Sequence, residues 1–458
     1  GSFNLELASA VCSDDANDEF SVIDVLASLV DKSLVQTEPD PNGTRYRMLE
    51  STHAYAAEKL AQSGEQAGAA AAYARACLRM AEGFDATWDS TPDRTWFAQM
   101  DGEKSNWRAT LEWAFDAEHD VVLGQRLVAA LSGALRPFGF RTALRWVQTA
   151  QASVNASTPA VVAARLDSVE ARFRSWLREF GAARDAAERA LARYRDLDEP
   201  LLVAETQSEM ARSLALLGET AEGERICDEA LATARRLGAR KLTAETLSGL
   251  GTASLFRNDI PEARARLAES LAITRASGHT MLEAIVASNL AEVEFRAGDA
   301  AAAVRTAAQA TAAFRRFKDS TILNVVVSLS NTAAYLIALG RYEEARSHAR
   351  EALELGRDIQ YDAFIAFAVQ HLAAVAAQRP PSSARGGQDD SVRAARLFGY
   401  TDTRLASLGS AREYTEQQEY DKAIGAIRDA LGDERLTELV HEGNRWDESR
   451  GLAEALLV

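Results

Sequence analysis

Proline and glycine are scarce in this chain, 9 and 27 in 458 residues, and it contains no run of 18 or more apolar residues. The first scarcity favours helix over turn-rich β architecture, the more so because alanine is abundant throughout. The second leaves no candidate membrane-spanning helix, and the chain does not open as a signal peptide. Cysteine is scarce too. Cys12, Cys77 and Cys227 are odd in number and far apart, which fits reduced thiols in a cytoplasmic protein and not a disulfide framework. Six scattered histidines give no metal spacing, and HExxH, CxxC and the phosphate-cradling GxxxxGK[ST] are missing. Positive charge is in short supply: 51 Lys and Arg against 67 Asp and Glu leave a formal net charge of −16. Nonspecific nucleic-acid affinity rests on cations that neutralise phosphates, so the balance argues against a general DNA-binding surface and leaves room only for a local basic patch. Neither a catalytic residue nor a metal or cofactor site is expected in this chain.

What is present is a folded composition, 47% hydrophobic and 26% charged, at a length too great for one compact core. Most of it repeats itself. Small residues recur at Ala171, Ala211, Gly251, Ala291 and Ala333, at spacings of 40, 40, 40 and 42. A second small residue follows nineteen positions on, at Ala190, Ala230, Ser270, Ala310 and Ala352, and Ala150 extends that series upstream. Three residues before each first marker stands a serine: Ser168, Ser208, Ser248, Ser288 and Ser330. Such a register predicts antiparallel helix pairs joined by turns such as "LLGET", "FRNDI", "RAGDA" and "ALGRY". One pair cannot bury its apolar side alone, so stacking builds a continuous core and a superhelix. The two glycines of "SGLGTAS" (Ser248 to Ser254) fall inside this pattern, and Gly251 takes the packing slot.

The first 66 residues read differently. Helical spacing over Val22 to Val30, with Ser21 as N-cap, precedes two strands, "KSLVQTE" and "TRYRMLE", around the turn signal Asn42-Gly43. Ser51 and Thr52 are expected to cap the next helix and Gly64 to stop it. Helix, hairpin, helix is the back half of a winged helix, with no front half visible. The opening Gly1-Ser2 reads as an expression scar on a piece of a longer protein.

"VLASLVDKSLVQTE…RYRMLESTHAYAAEKLAQSGE" resembles the winged helix that follows the nucleotide-binding core in bacterial STAND-class ATPase regulators. In that family it leads into tetratricopeptide-like repeats. The resemblance continues through "EKSNWRATLEWAF" to "AARLFGYTDTRLASLG…ALGDERLTELVHEG". It implies an all-α chain: a partial winged helix with a short β-hairpin (1–66), connecting helices (67–125), a right-handed superhelix of about 40-residue repeats (126–409) with a mobile loop at 378–390, and a helical cap (410–458). ATP or ADP would sit on a nucleotide-binding domain outside this chain, which would be one partner of the winged helix. The family's Met-His-Asp nucleotide-sensing signature would fall on Met48-Leu49-Glu50, where Leu49 departs from it, and His53 lies one turn on. Trp88, Trp96, Trp107 and Trp113 in the connecting helices are expected to pack between the winged helix and the first repeat.

In tetratricopeptide arrays the first helix of each pair lines the concave side. The resemblance therefore implies an effector groove with Arg172, Ser208, Arg212, Glu245, Ser248, Ser288, Asn289, Glu292, Ser330 and Asn331 as candidate contacts. Arg165 and Glu205 lie beside them, and Trp176, Leu255, Phe295 and Ile337 further along. Small hydroxyls among convergent charges leave room for a guest and offer it hydrogen bonds. The leading reading is the sensor and relay of a transcriptional regulator, for an effector that is a small molecule, a peptide or a protein. A plain protein-interaction scaffold is the alternative. A third, in which Arg45 and Arg47 on the wing touch DNA phosphates, is disfavoured by the acidic chain.

Overall fold

A residue in the left-handed conformation turns each repeat pair. In the computed structural model, which describes residues 1–13, 18–40, 43–116, 119–380 and 384–458, Arg178, Gly218, Asn258, Gly298 and Gly340 have φ between 60 and 90°. They keep the register of the small residues. Glycine adopts this φ without a Cβ penalty and Asn tolerates it, whereas Arg178 does so at a cost of about 1 kcal/mol. Asp259 and Asp299 then cap the next helix by accepting from the backbone N–H of Glu262 and Ala302. Both small-residue series are buried, from Ala171 (4% exposed) and Ala190 (0%) to Ala333 (0%) and Ala352 (0%). A Cβ on Gly251 would meet Leu267 Cγ at 2.7 Å, which is the physical reason for the smallest residue in that slot.

The chain forms two compact units, Gly1–Leu242 and Thr243–Val458. The boundary falls inside the expected 126–409 array. The first unit opens with α1 (Leu5–Cys12), α2 (Glu19–Asp31), the antiparallel strands β1 (Gln36–Asp40) and β2 (Gly43–Arg47), and α3 (Glu50–Ser63). The front helix α1, absent from the sequence reading, is present. Asn4 caps it, and Phe3 bridges and stacks on Tyr46 of the wing. Eight residues are too few to display an amphipathic stripe. Asp18, not Ser21, caps α2; the Ser21 hydroxyl and N–H both donate to the Asp18 carboxylate and hold it below its usual range. Ser51 and Thr52 lie inside α3, whose N-cap position, Leu49, makes no side-chain bond. Gly64 ends α3 at φ 79°, as expected. The turn residues Pro41 and Asn42 lie outside the described residues, between the paired Asp40 and Gly43.

Then follow α4 (Gln66–Ala86), α5 (Asp93–Phe115), α6 (Val121–Ala130), α7 (Phe140–Ala152), and the pairs α8 (Ala160–Trp176) with α9 (Phe180–Asp196) and α10 (Pro200–Leu216) with α11 (Thr220–Leu237). Trp96 and Trp107 are buried in the α4–α5 core, and Trp96 donates to the Phe84 carbonyl. Trp88 packs edge-on against Trp96, and the buried Lys241 ammonium lies over its ring and 3.3 Å from Asp93. Trp113 stacks on His119. Trp88 and Trp96 thus pack on each other, and Trp107 meets Phe84 of α4 edge-on.

Helix α12 (Arg240–Phe256) carries the boundary. The second unit continues with α13 (Ile260–Ser277), α14 (Thr280–Arg296), α15 (Ala300–Phe314), α16 (Ile322–Ala338), α17 (Tyr342–Asp358), α18 (Asp362–Gln378), α19 (Ala384–Ser407), α20 (Tyr414–Leu431), α21 (Asp433–Gly443) and α22 (Glu448–Ala455). Its core runs from Leu329, Leu336 and Leu353 through Val369 and Leu372 to Phe398, Ala423, Ile427 and Leu439. Of the loop expected at 378–390, Gln378 ends α18 and 384–390 are already helical, while 381–383 lie outside the described residues. Proline ends α18, but nothing C-terminal to it prevents a new helix from starting early. No helix among the described residues is long and apolar enough to cross a membrane.

Candidate functional site: the first-helix faces

In the first unit, α8 and α10 bring arginines and carboxylates together against the end of α4. Arg165 pairs with Asp85 at 2.5 Å, and Arg172 donates to Glu209 at 3.0 Å. Burial raises Asp85 above the usual carboxylate range although both arginines oppose it. Glu205 is raised in the same way, by burial first, with Arg165 and Arg172 opposing. Arg136 stacks on Trp176 at 4.8 Å from the ring centre, and burial, with repulsion from Arg172, lowers it to about 10. Ser168 donates to the Arg165 carbonyl, Ser208 is partly exposed, and Arg212 is exposed. This face is a mixed-charge surface that solvent reaches.

The second unit treats the same register differently. Ser248, 5% exposed, accepts a 3.1 Å hydrogen bond from Asn289 Nδ2. Glu245, Ser288 and Asn331 are partly exposed. Glu292 is saturated: one oxygen accepts from Arg296 (2.7 Å) and the Thr415 hydroxyl (2.6 Å), the other from Tyr335 (2.9 Å). Ser330 is fully buried with its hydroxyl 2.8 Å from His371 Nε2, and His371 Nδ1 lies 2.8 Å from Glu419. Thr415 and Glu419 belong to α20, so the chain's own helix covers this part of the expected groove. Ser330 and Glu292 are therefore not open contacts for a guest, because His371 of α18 bonds the first and Thr415 of α20 the second.

Serine, imidazole and carboxylate in that order resemble a nucleophile relay. Here Ser330 and His371 are both 0% exposed, so no substrate reaches the hydroxyl. The relay acts as a strut. Burial disfavours the imidazolium, but the Glu419 carboxylate more than offsets this and His371 is raised above its ordinary value.

The wing carries a further departure. Arg45, whose side chain is 11% exposed, pairs with Glu103 at 2.7 Å and donates to the Ser2 hydroxyl and to the Ser2 and Gly102 carbonyls. Asn106 extends the network from Glu103 to Tyr73. A Cβ on Gly102 would meet Arg45 Nη1 at 2.8 Å. Arg45 is thus a strut between β2 and α5 and is not offered to phosphates; Arg47 is exposed and pairs across the hairpin with Glu38. Leu49 is 45% exposed.

Residues missing from the sequence reading, Gln370, His371, Thr415 and Glu419 with the backbone carbonyl of Glu416, hold the second face together. A signal for two of them existed: Gln370 and His371 stand 40 and 41 positions after Ser330, where a further step of the serine register falls.

Residues 1–61 match the winged helix-turn-helix domain, and residues 202–276 and 282–358 match the tetratricopeptide repeat. Two parts are thereby recognised in order, a winged helix-turn-helix module and, after it, tetratricopeptide repeats. The chain is similar to HTH-type transcriptional regulators. It is 32% identical over 212 residues to the "Putative HTH-type transcriptional regulator Mb0914c" of Mycobacterium bovis, covering 44% of this chain and 23% of that protein. Mycobacterium tuberculosis proteins of the same description match equally. The matched region thus spans about a quarter of those relatives' length. Among solved structures, a Rap protein complexed with competence and sporulation factor shares the fold at TM-score 0.50 and 11% identity, over 81% of this chain and 99% of that one. The STAND protein with a tetratricopeptide repeat sensor, PH0952 from Pyrococcus horikoshii, aligns at TM-score 0.49 and 14% identity, over 99% of this chain and 64% of that one.

Proposed function

We propose that this chain is the sensor and relay region of a STAND-type transcriptional regulator. An effector or partner binds the first-helix faces of the repeats, and the winged helix passes the change to a nucleotide-binding domain outside the chain, where ATP or ADP sits. The observation that carries the relay is the Arg45–Glu103 joint: the wing is fastened to α5 by a buried, hydrogen-bonded ion pair. A module held this way moves with the helices behind it, whereas a DNA-reading wing would present that arginine to phosphates. The Rap structure holds a bound factor on a related fold, which supports an effector for this one.

By linkage, an effector that favours one nucleotide state binds more tightly in that state. The test is ATP and ADP affinity of the full-length protein with and without effector. A ratio that shifts severalfold with effector, and no longer shifts in Arg45→Ala, is expected; identical affinities sink the relay. Native mass spectrometry of the gently purified chain supplies the effector class, through a retained small molecule lost in Arg212→Ala. A bare chain whose partner capture depends on Arg212 favours the scaffold reading.

A further inference from the structure

Helix α20 has two halves that are held by different forces. Ala423 and Ile427 of its second half are fully buried in the apolar core with Phe398 and Leu439. Its first half is held by polar contacts to first helices of the repeats. Thr415 donates to Glu292 of α14, Glu419 accepts from His371 of α18, and Gln370 Nε2 donates to the Glu416 carbonyl. Just before it, Arg412 donates to Gln370 Oε1 and pairs with Asp402 of α19.

One contact in this half is unfavourable. Glu416 is 7% exposed, its Oε2 has no hydrogen-bond partner, and the carboxylates of Glu413 and Glu292 face it. A buried acceptor without a donor loses its hydration and gains nothing in return. Like charges add to that loss. The other groups around it do not cancel the repulsion. Arg296 of α14 is taken by Glu292, Tyr335 of α16 donates to Glu292, and His371 faces Glu419. Tyr420 and Arg412 meet Asp402.

We propose that the first two turns of α20 are a built-in occupant of the second unit's binding face, held against an internal repulsion and replaced by a partner helix of similar chemistry. This rests on the reading of first-helix faces as binding surfaces. The face specifies its occupant: a hydroxyl to donate to Glu292 and, four residues on, a carboxylate for His371. Those two positions share one side of a helix. The position after the hydroxyl should be uncharged, since a second carboxylate there repeats the conflict of Glu416. The partner is thus a helical peptide segment carrying Ser or Thr and Glu at that spacing.

The repulsion gives the occupant a pH dependence of known sign. Burial, then Glu413 and Glu292, raise Glu416 from 4.5 to about 7. A carboxyl raised in the docked state favours docking below its free value, and that benefit is lost as pH rises to the docked value. His371, raised as well, loses its share as pH climbs through and above 6.5. Both groups loosen the first half in the same direction.

Hydrogen exchange on the whole chain, read as protection factors at pH 5.5 and 7.5, tests this. Protection of 414–421 should fall by at least about tenfold between the two, while 423–431 and α18 hold. In Glu416→Gln, the fall in protection of 414–421 should shrink to the His371 share alone. Equal protection of the two halves at both pH values, unchanged in Glu416→Gln, overturns the proposal. The face itself is tested with a labelled peptide of residues 412–431 carrying Glu416→Gln, added to Glu419→Ala protein. Binding there, and none to Glu416→Gln protein at pH 5.5, supports replacement. No binding to Glu419→Ala protein whose 414–421 segment has lost protection overturns the partner assignment. Neither result bears on nucleotide coupling, which is measured separately.

Discussion

The first-helix face of the first unit and that of the second come from the same sequence register and end in opposite conditions. On α8 and α10, Arg172 and Arg212 stand where solvent reaches them, beside the partly exposed Ser208. On α16 and α18, Ser330 and His371 are sealed at 0% exposure beneath α20. A periodic signal fixes where a side chain stands on its own helix. What covers it is decided by a segment more than 80 residues away in the chain, as Thr415 is from Ser330. Charges that stay in contact with water are worth little to stability and remain available to a guest. The same kinds of groups sealed from water are costly to disturb and already have their partners.

That contrast can be broken most strongly at His371. His371→Ala leaves Glu419, 3% exposed, with an uncompensated charge and strips Ser330 of its hydrogen-bond partner. Removing one member of a buried pair costs about 3–5 kcal/mol, which urea unfolding of the second unit should register. Next comes the crossing of α19 and α21, which carries α20 into place. A Cβ on Gly443 would fall 1.8 Å from the Arg396 carbonyl oxygen, against backbone that cannot swing aside. Gly443→Ala is expected to cost about 3 kcal/mol, at the upper end for overpacking. Gly251→Ala, facing Leu267 side-chain carbons at 2.7 and 3.0 Å and the Ala263 carbonyl oxygen at an ordinary 3.4 Å, should cost about 1–2 kcal/mol, less than a clash with backbone. If Gly443→Ala proves milder than Gly251→Ala, the closure by α20 is looser than its packing implies.

The repeats were legible because their requirement is local: a small residue where helices cross and a left-handed residue at the turn recur in step. Even Asn258 kept the turn where glycine was lacking. The missed pieces lack such periodicity. Helix α1 is short and announces itself only through Asn4. The strut role of Arg45 depends on Glu103 and Gly102, nearly sixty residues on, and nothing in the wing's own sequence separates a phosphate-facing arginine from a buried one. The serine register marks the first-helix faces, and continuing it one step reaches Gln370 and His371. That α20 lies on them was hidden, since its first-half contacts are polar and an apolar pattern search passes over Thr415, Glu416 and Glu419.

The smallest stability effect sharpens the comparison most. Arg172 and Glu209 keep 24% and 36% of their side chains exposed, so solvent screens their attraction. Arg172→Ala should therefore lower stability by less than about 1 kcal/mol. Its electrostatic effect on neighbours is a separate matter. Arg172 is among the charges that hold down Glu205 and Asp85, both raised by burial, so removing it should lift both carboxyls further. A carboxyl raised in the folded state stabilises below its unfolded value and loses that contribution as pH rises through the folded one. Arg172→Ala should thus be closest to the parent chain in acid and fall furthest behind it as pH rises through the Glu205 and Asp85 values. Thermal unfolding followed from pH 4 to pH 8 reads this directly. A gap that is large and the same at every pH would mean that Arg172 is a buried strut like His371, and the two faces would no longer differ.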